Sequence, residues 1–239
     1  MGGNQSIVGT TILEYVREIQ GDRLHMRNRA FGNQGSDYGR STATIRLNSF
    51  GFPGGLTTAR ASIKVEGMEA TGCSDNGAST LARAHLVGNF FKISDVSNGV
   101  QDHVLGLIQI QRASNSADKE NILHVYGVMV HCLDPDCLNA DPTSKELGTV
   151  KLGQWATGQV EWNEVGKEFI FTLDKNPRQS ISYSDKNWEL IPLDCTVQGQ
   201  CQGITLEANH KIANCIAKRQ MGFVDVDFDN VFINVGAIP

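Results

Sequence analysis

Eight polar residues recur on one side of alternating runs along this chain: Arg46, Arg60, Arg83, His85, Gln109, Gln111, His124 and Tyr126. In an extended chain successive side chains point to opposite faces, so a period of two separates them from apolar neighbours. Arg83 and His85 oppose Ala82, Ala84, Leu86 and Phe90, and Gln109 and Gln111 oppose Ile108 and Ile110. Arg46 opposes Ile45 and Leu47, and Arg60 opposes Ala59 and Ala61. If the strands are neighbours, these groups make a continuous patch. Arg and Gln supply donors in planar arrays, Tyr a stacking surface, and His a charge that switches near neutrality. That chemistry suits the hydroxyls or carboxylates of a polysaccharide. An ordinary solvated sheet face reads the same way and requires no ligand.

Other chemistries find less support. The six histidines are His25, His85, His103, His124, His131 and His210, and none forms a His-x-His or His-x-x-x-His pair, so zinc is not signalled. No Gly-x-Ser-x-Gly turn exists to present a nucleophilic serine. Glu66 and Glu69, like Glu161 and Glu164, are three apart, which on a strand sends paired carboxylates to opposite faces. Calcium is the one metal the sequence keeps in play. Asp225, Asp227 and Asp229 alternate and must share a face, where a hard cation would relieve their repulsion; Asn230, Asp134, Asp136 and Asp141 are further oxygen donors.

The elements that must position these residues are short strands. Runs with period-two alternation are separated by Gly, Asn, Asp and Ser clusters throughout the 239 residues, and Gly21-Asp22 joins Leu13–Ile19 to Arg23–Ala30 as a tight hairpin. Leu81–Phe91, Val104–Arg112, Ile122–His131 and Phe223–Asn234 are the clearest strands. Thr149–Leu152 reads as a short edge, and Ala208–Ala217 as a weak helix. The expected fold is all-β, a two-sheet antiparallel sandwich, with residues 1–11 as an N-terminal extension and 12–239 as one domain. Leu86, Phe90, Ile108, Ile110, Phe169 and Phe171 are its expected core.

Six cysteines, in even number, include two close pairs, Cys132 with Cys137 and Cys195 with Cys201. Local loops close at small entropic cost, so these are expected as disulfides, leaving Cys73 for Cys215. The opening Met1 to Ser6 fits a loose myristoylation pattern, but the cysteine usage favours a mature extracellular chain. A formal net charge of -5, with no basic run longer than Lys218-Arg219, argues against nucleic acid as a partner. No apolar run is long enough for a membrane helix.

The closing run Phe223-Val-Asp-Val-Asp-Phe-Asp-Asn-Val-Phe-Ile-Asn234, with Ala82–Phe91 and Gly106–Arg112, resembles the concanavalin A-like lectin and glucanase superfamily, in particular laminin-G-like jelly rolls and secreted bacterial sandwiches containing cysteines. The resemblance covers residues 12 to 236 and implies a jelly-roll plan. It spans lectins, glycan-binding modules, glycosidases and alginate-type lyases, so it does not decide function. Gln109-Ile-Gln111 resembles the Gln-Ile-His step of the lyases, but a glutamine replaces the histidine and cannot shuttle a proton. The expectation is therefore a non-catalytic extracellular domain that binds polysaccharide or joins a surface assembly. The alternatives are a lyase acting on an acidic glycan and a structural subunit that self-associates.

Overall fold

The computed structural model describes residues 5–8, 11–35, 40–50, 56–74, 77–89, 104–133, 139–184 and 203–238. The described residues form fourteen strands and no helix. They are β1 (Gln5–Val8), β2 (Thr11–Gln20), β3 (Arg23–Phe31), β4 (Arg40–Phe50), β5 (Thr58–Ala70), β6 (Leu81–Asn89) and β7 (Val104–Ala113). There follow β8 (Ile122–Cys132), β9 (Ala140–Lys151), β10 (Trp155–Asn163), β11 (Glu168–Leu173), β12 (Gln179–Ser182), β13 (Gly203–Ala213) and β14 (Met221–Ile233). They build two seven-stranded sheets. The first runs β1-β4-β13-β6-β7-β8-β9 and the second β12-β11-β10-β5-β14-β3-β2, with antiparallel pairing throughout. Strands β5 and β6 follow one another in the chain but lie in opposite sheets, and β13 and β14 do the same. This repeated crossing is the jelly-roll plan.

The alternation read from the sequence decides what fills the space between the sheets. Ala59, Ala61, Ile63 and Val65 of β5, Ala82, Ala84 and Leu86 of β6, and Ile108 and Ile110 of β7 are all buried in one apolar cluster. Phe169 and Phe171 of β11 are fully enclosed. Their rings lie over Gly106 and Gly127 of the facing sheet, where a methyl group would come within 2.6 Å and 2.3 Å of ring carbons. Glycine is used there because the rings occupy the space a side chain would need. Phe90, also expected in the core, lies outside the described residues.

The β2–β3 hairpin turns through Gly21 and Asp22 with positive φ at both, 52° and 68°, the handedness that matches strand twist. Cys73 and Cys215 are joined by a disulfide across a sequence separation of 142. Cys132 is also disulfide-bonded; Cys137, Cys195 and Cys201 lie outside the described residues.

Gln5–Val8, within the segment read as an N-terminal extension, pairs with β4 as the edge of the first sheet. Two sequence expectations are corrected. The Ala208–Ala217 helix does not form. The chain there continues β13 to Ala213, with Ala208, His210 and Ile212 buried between the sheets; the strand pairing on both sides overrides the helical preference of alanine. The edge at Thr149–Leu152 is the end of a longer strand, β9, which accommodates Pro142 because an edge strand needs partners on one side only.

One polar pair stands inside the sandwich. His210 of β13 and Asn28 of β3 meet between the sheets with no exposed surface. The ring Nε2 of His210 lies 3.2 Å from the Asn28 carbonyl oxygen, which assigns the proton to Nε2. Its Nδ1, and both polar atoms of the Asn28 side chain, have no hydrogen-bond partner among the described residues. Gly222 faces the ring, where a Cβ would sit 2.7 Å from Nδ1. Burial pushes the imidazole down to about 3, against the pull of the Asn28 carbonyl and with some help from Arg83.

Candidate functional site: the outer face of the first sheet

Register brings seven of the eight polar candidates onto one face. One transverse row reads Arg46, Glu207, His85, Gln109, Tyr126 and Glu146 across β4, β13, β6, β7, β8 and β9. The adjacent row reads Thr44, Asn209, Arg83, Gln111 and His124. A third row on the same face becomes apolar in its middle, with Val87, Leu107 and Val128 clustered beside Leu105, Val130 and Tyr126.

Arg60 is the exception. It lies on β5 in the second sheet, where its Nε donates to Gln159 Oε1 at 2.7 Å and its Nη2 donates to the Gly236 carbonyl. Its alternation is as expected, but alternation does not say which sheet a strand joins. Arg60 therefore pins the C-terminal segment to the opposite side of the molecule and has no part in the patch.

The remaining groups form a connected network. His85 Nδ1 lies 3.2 Å from Glu207 Oε2, and its Nε2 lies 3.0 Å from Gln109 Oε1. Gln109 Nε2 donates to Gln111 Oε1 at 2.8 Å, and Gln111 in turn hydrogen-bonds Tyr126. Arg83 donates to Asn209 Oδ1, and Asn209 Nδ2 donates to Thr44 Oγ1 at 2.6 Å. Burial lowers the His85 imidazole, outweighing the opposing influence of Glu207. Burial alone would raise Glu207, but the His85 hydrogen bond, with Arg46 and Arg83 nearby, holds its carboxyl below the ordinary range. A buried imidazole is thus fixed in orientation by a carboxylate, with an amide chain running from it to a phenol two strands away.

His124 sits apart from this chain. Its Nδ1 and Nε2 lie 2.7 Å from Glu146 and 2.7 Å from Asp118 respectively, so both ring nitrogens donate to carboxylates. Those two bonds raise the imidazole above its usual value and hold it charged. Its partners are within the protein, so it secures the Asp118 loop to β8 and β9.

A groove of about 520 Å³ lies along this face. Arg83, His85, Gln109, Gln111, Tyr126 and Lys211 line its polar side, and Leu107, Val128, Val130 and Pro142 its apolar side. Such a mixed, shallow surface fits a sugar ring, which has hydroxyl edges and apolar C–H faces. Glu207, Asn209 and Lys211 were missed by the sequence reading. Their signal was the alternation of Thr205, Glu207, Asn209 and Lys211 against Leu206, Ala208, His210 and Ile212, which the helix read over Ala208–Ala217 cut short.

The three aspartates of β14 do share a face, on the second sheet, where His25, Lys64 and Arg23 lie beside them. Asp227 lies 2.9 Å from His25 Nδ1 and 3.6 Å from Lys64, and Asp229 lies 3.9 Å from Arg23. Asp225 lies 3.7 Å from His25. Burial raises its carboxyl against the effect of His25 and Arg27. Among the described residues no group of three or more His, Cys, Asp or Glu side chains is arranged to hold a metal. Asp134 and Asp136, further oxygen donors expected for calcium, lie outside the described residues.

No family model and no curated protein matches the chain. Solved structures similar to it include a legume lectin-like domain from Entamoeba histolytica, 9% identical, with 92% of this chain and 89% of that one covered at a TM-score of 0.39. A glycosyl hydrolase family protein from Mycobacterium fortuitum is 12% identical over 92% and 91%, at 0.38. A beta-1,3-glucanase from Mycobacterium marinum is 14% identical over 92% and 90%, at 0.36. These are sandwiches of the concanavalin A-like lectin and glucanase superfamily. The jelly roll assigned above rests on this chain's own strand order, and its function has to be read from the groove.

Proposed function

We propose that this protein is a non-catalytic extracellular domain that binds polysaccharide in the groove on the outer face of its first sheet. The observation that carries this reading is the hydrogen-bonded array of His85, Gln109, Gln111 and Tyr126 beside Leu107 and Val128. Side chains that hold one another in place lose little freedom when a ligand arrives, which favours binding. The extracellular assignment rests on the Cys73–Cys215 disulfide, a bond that persists in oxidising surroundings. Among the described residues no helix is long and apolar enough to cross a membrane.

The test is calorimetry with a polysaccharide panel on the parent and on the double variant Gln111→Ala, Tyr126→Ala. Both residues lie on the outer face, so the variant keeps the core intact. Binding by the parent and its loss in the variant is the expected result. Equal binding by both proteins, or no binding to any panel member, defeats the proposal.

A lyase is the second reading, favoured by one observation: His85 is a buried imidazole oriented by Glu207, with Arg83 on the same strand. In β-elimination a base takes the proton next to the sugar carboxylate and the glycosidic C–O bond breaks. Binding is preferred because His85 and Tyr126 are two strands apart, about 10 Å, with Gln109 between them. An unsaturated product released from polygalacturonate, and lost in His85→Gln, would reverse that preference.

A further inference from the structure

Arg83 is an unusual residue for an exposed sheet face. It is only 9% exposed, and its side chain donates to the neutral side-chain oxygen of Asn209. Its Nε is enclosed and has no partner among the described residues. A guanidinium carries five donors and is never deprotonated under physiological conditions, so burying it beside a neutral amide leaves hydrogen-bonding capacity unspent. Glu207, in the next row, is engaged with His85.

A second cation shares this end of the groove. Lys211 projects from β13 on the same face, diagonally across from Arg83, and both line the groove. Among the described residues Lys211 makes no ion pair. Arg40 adds to the local charge, although its own donors are spent on Ser79. Burial lowers both Arg83 and Lys211 from their ordinary values; Glu207 pulls Arg83 back up, Arg40 lowers both, and Arg83 lowers Lys211. The protein as a whole carries a formal charge of -5, so this positive spot is local.

We propose that Arg83 and Lys211 form an anion subsite at one end of the groove, which takes a carboxylate or sulfate carried on the bound glycan. The inference rests on the groove reading and narrows it to acidic polysaccharides. The planar guanidinium accepts either oxyanion through parallel hydrogen bonds, and Lys211 at the rim adds a mobile charge. Gln109, Gln111 and Tyr126 then meet the hydroxyls of the same chain.

The experiment compares calorimetric binding of polygalacturonate, dextran sulfate and unmodified dextran to the parent, to Lys211→Gln and to Arg83→Gln. Lys211 is exposed, so its variant folds even if the Arg83 variant does not. The parent should bind at least one of the two polyanions roughly tenfold or more tightly than dextran, with affinity falling as salt rises. Lys211→Gln should lose most of that preference. The polyanion that is preferred tells carboxylate from sulfate. Equal affinity for charged and neutral polymers, or an undiminished preference in Lys211→Gln, overturns the anion subsite. Dextran binding that depends on Gln111 and Tyr126, without any charge preference, would do so while leaving the groove reading intact. Binding of none of the three polymers removes both.

Discussion

The buried His210 makes a quantitative prediction about acid stability. In the unfolded chain its imidazole titrates near 6.5, whereas in the folded protein burial holds it to about 3. Between those values the unfolded state binds a proton that the native state refuses. Stability is therefore fully present above about pH 6.5 and is lost as pH falls towards the folded value. One proton corresponds to a slope of about 1.4 kcal/mol per pH unit, and the whole interval to about 5 kcal/mol. That is a large share of the stability of a domain this size. The perturbation is His210→Gln, which does not titrate and keeps a donor within reach of the Asn28 carbonyl. Urea denaturation followed by circular dichroism at pH 7, 6, 5 and 4 gives stability for parent and variant. The parent should lose about 1.4 kcal/mol more per pH unit than the variant below pH 6. His85, lowered in the same direction, contributes to both proteins and cancels in the comparison. Parallel stability curves for the two proteins would refute the assignment of a neutral, buried His210.

Three further outcomes follow from the packing and the charges. Phe171→Ala should cost about 3–5 kcal/mol, read as a shift in the denaturation midpoint, because the ring is fully enclosed over Gly127. Replacing Cys73 and Cys215 by Ser should cost about 4–5 kcal/mol on a chain-entropy basis, given the 142-residue separation, and lower the melting temperature accordingly. Adding calcium or a chelator should leave the melting temperature unchanged, since Lys64 and Arg23 lie beside Asp227 and Asp229; a rise with calcium would support the metal reading instead.

What the sequence determined by itself is whatever an extended chain decides locally. The alternation of Ala82, Ala84 and Leu86 with Arg83 and His85, or of Ile108 and Ile110 with Gln109 and Gln111, assigns inner and outer faces without knowledge of the partner strand. The Gly21-Asp22 turn is equally local, because only residues tolerant of positive φ close such a hairpin. Tertiary structure decided which strands are neighbours. Arg60 obeys the same alternation as Arg83, yet β5 pairs with β10 and β14 while β6 pairs with β13 and β7, so the two arginines end on opposite sides of the sandwich. It also decided that Ala208–Ala213 is a strand, since two flanking strands supply hydrogen bonds to that segment that no local preference could announce. Lys211 reaches the groove, and Glu207 and Asn209 the sheet face beside it, only through that pairing, which joins segments far apart in the chain. Face is a property of one strand and its period of two; a site is a property of several strands, and the jelly-roll crossovers that assemble them leave no local mark.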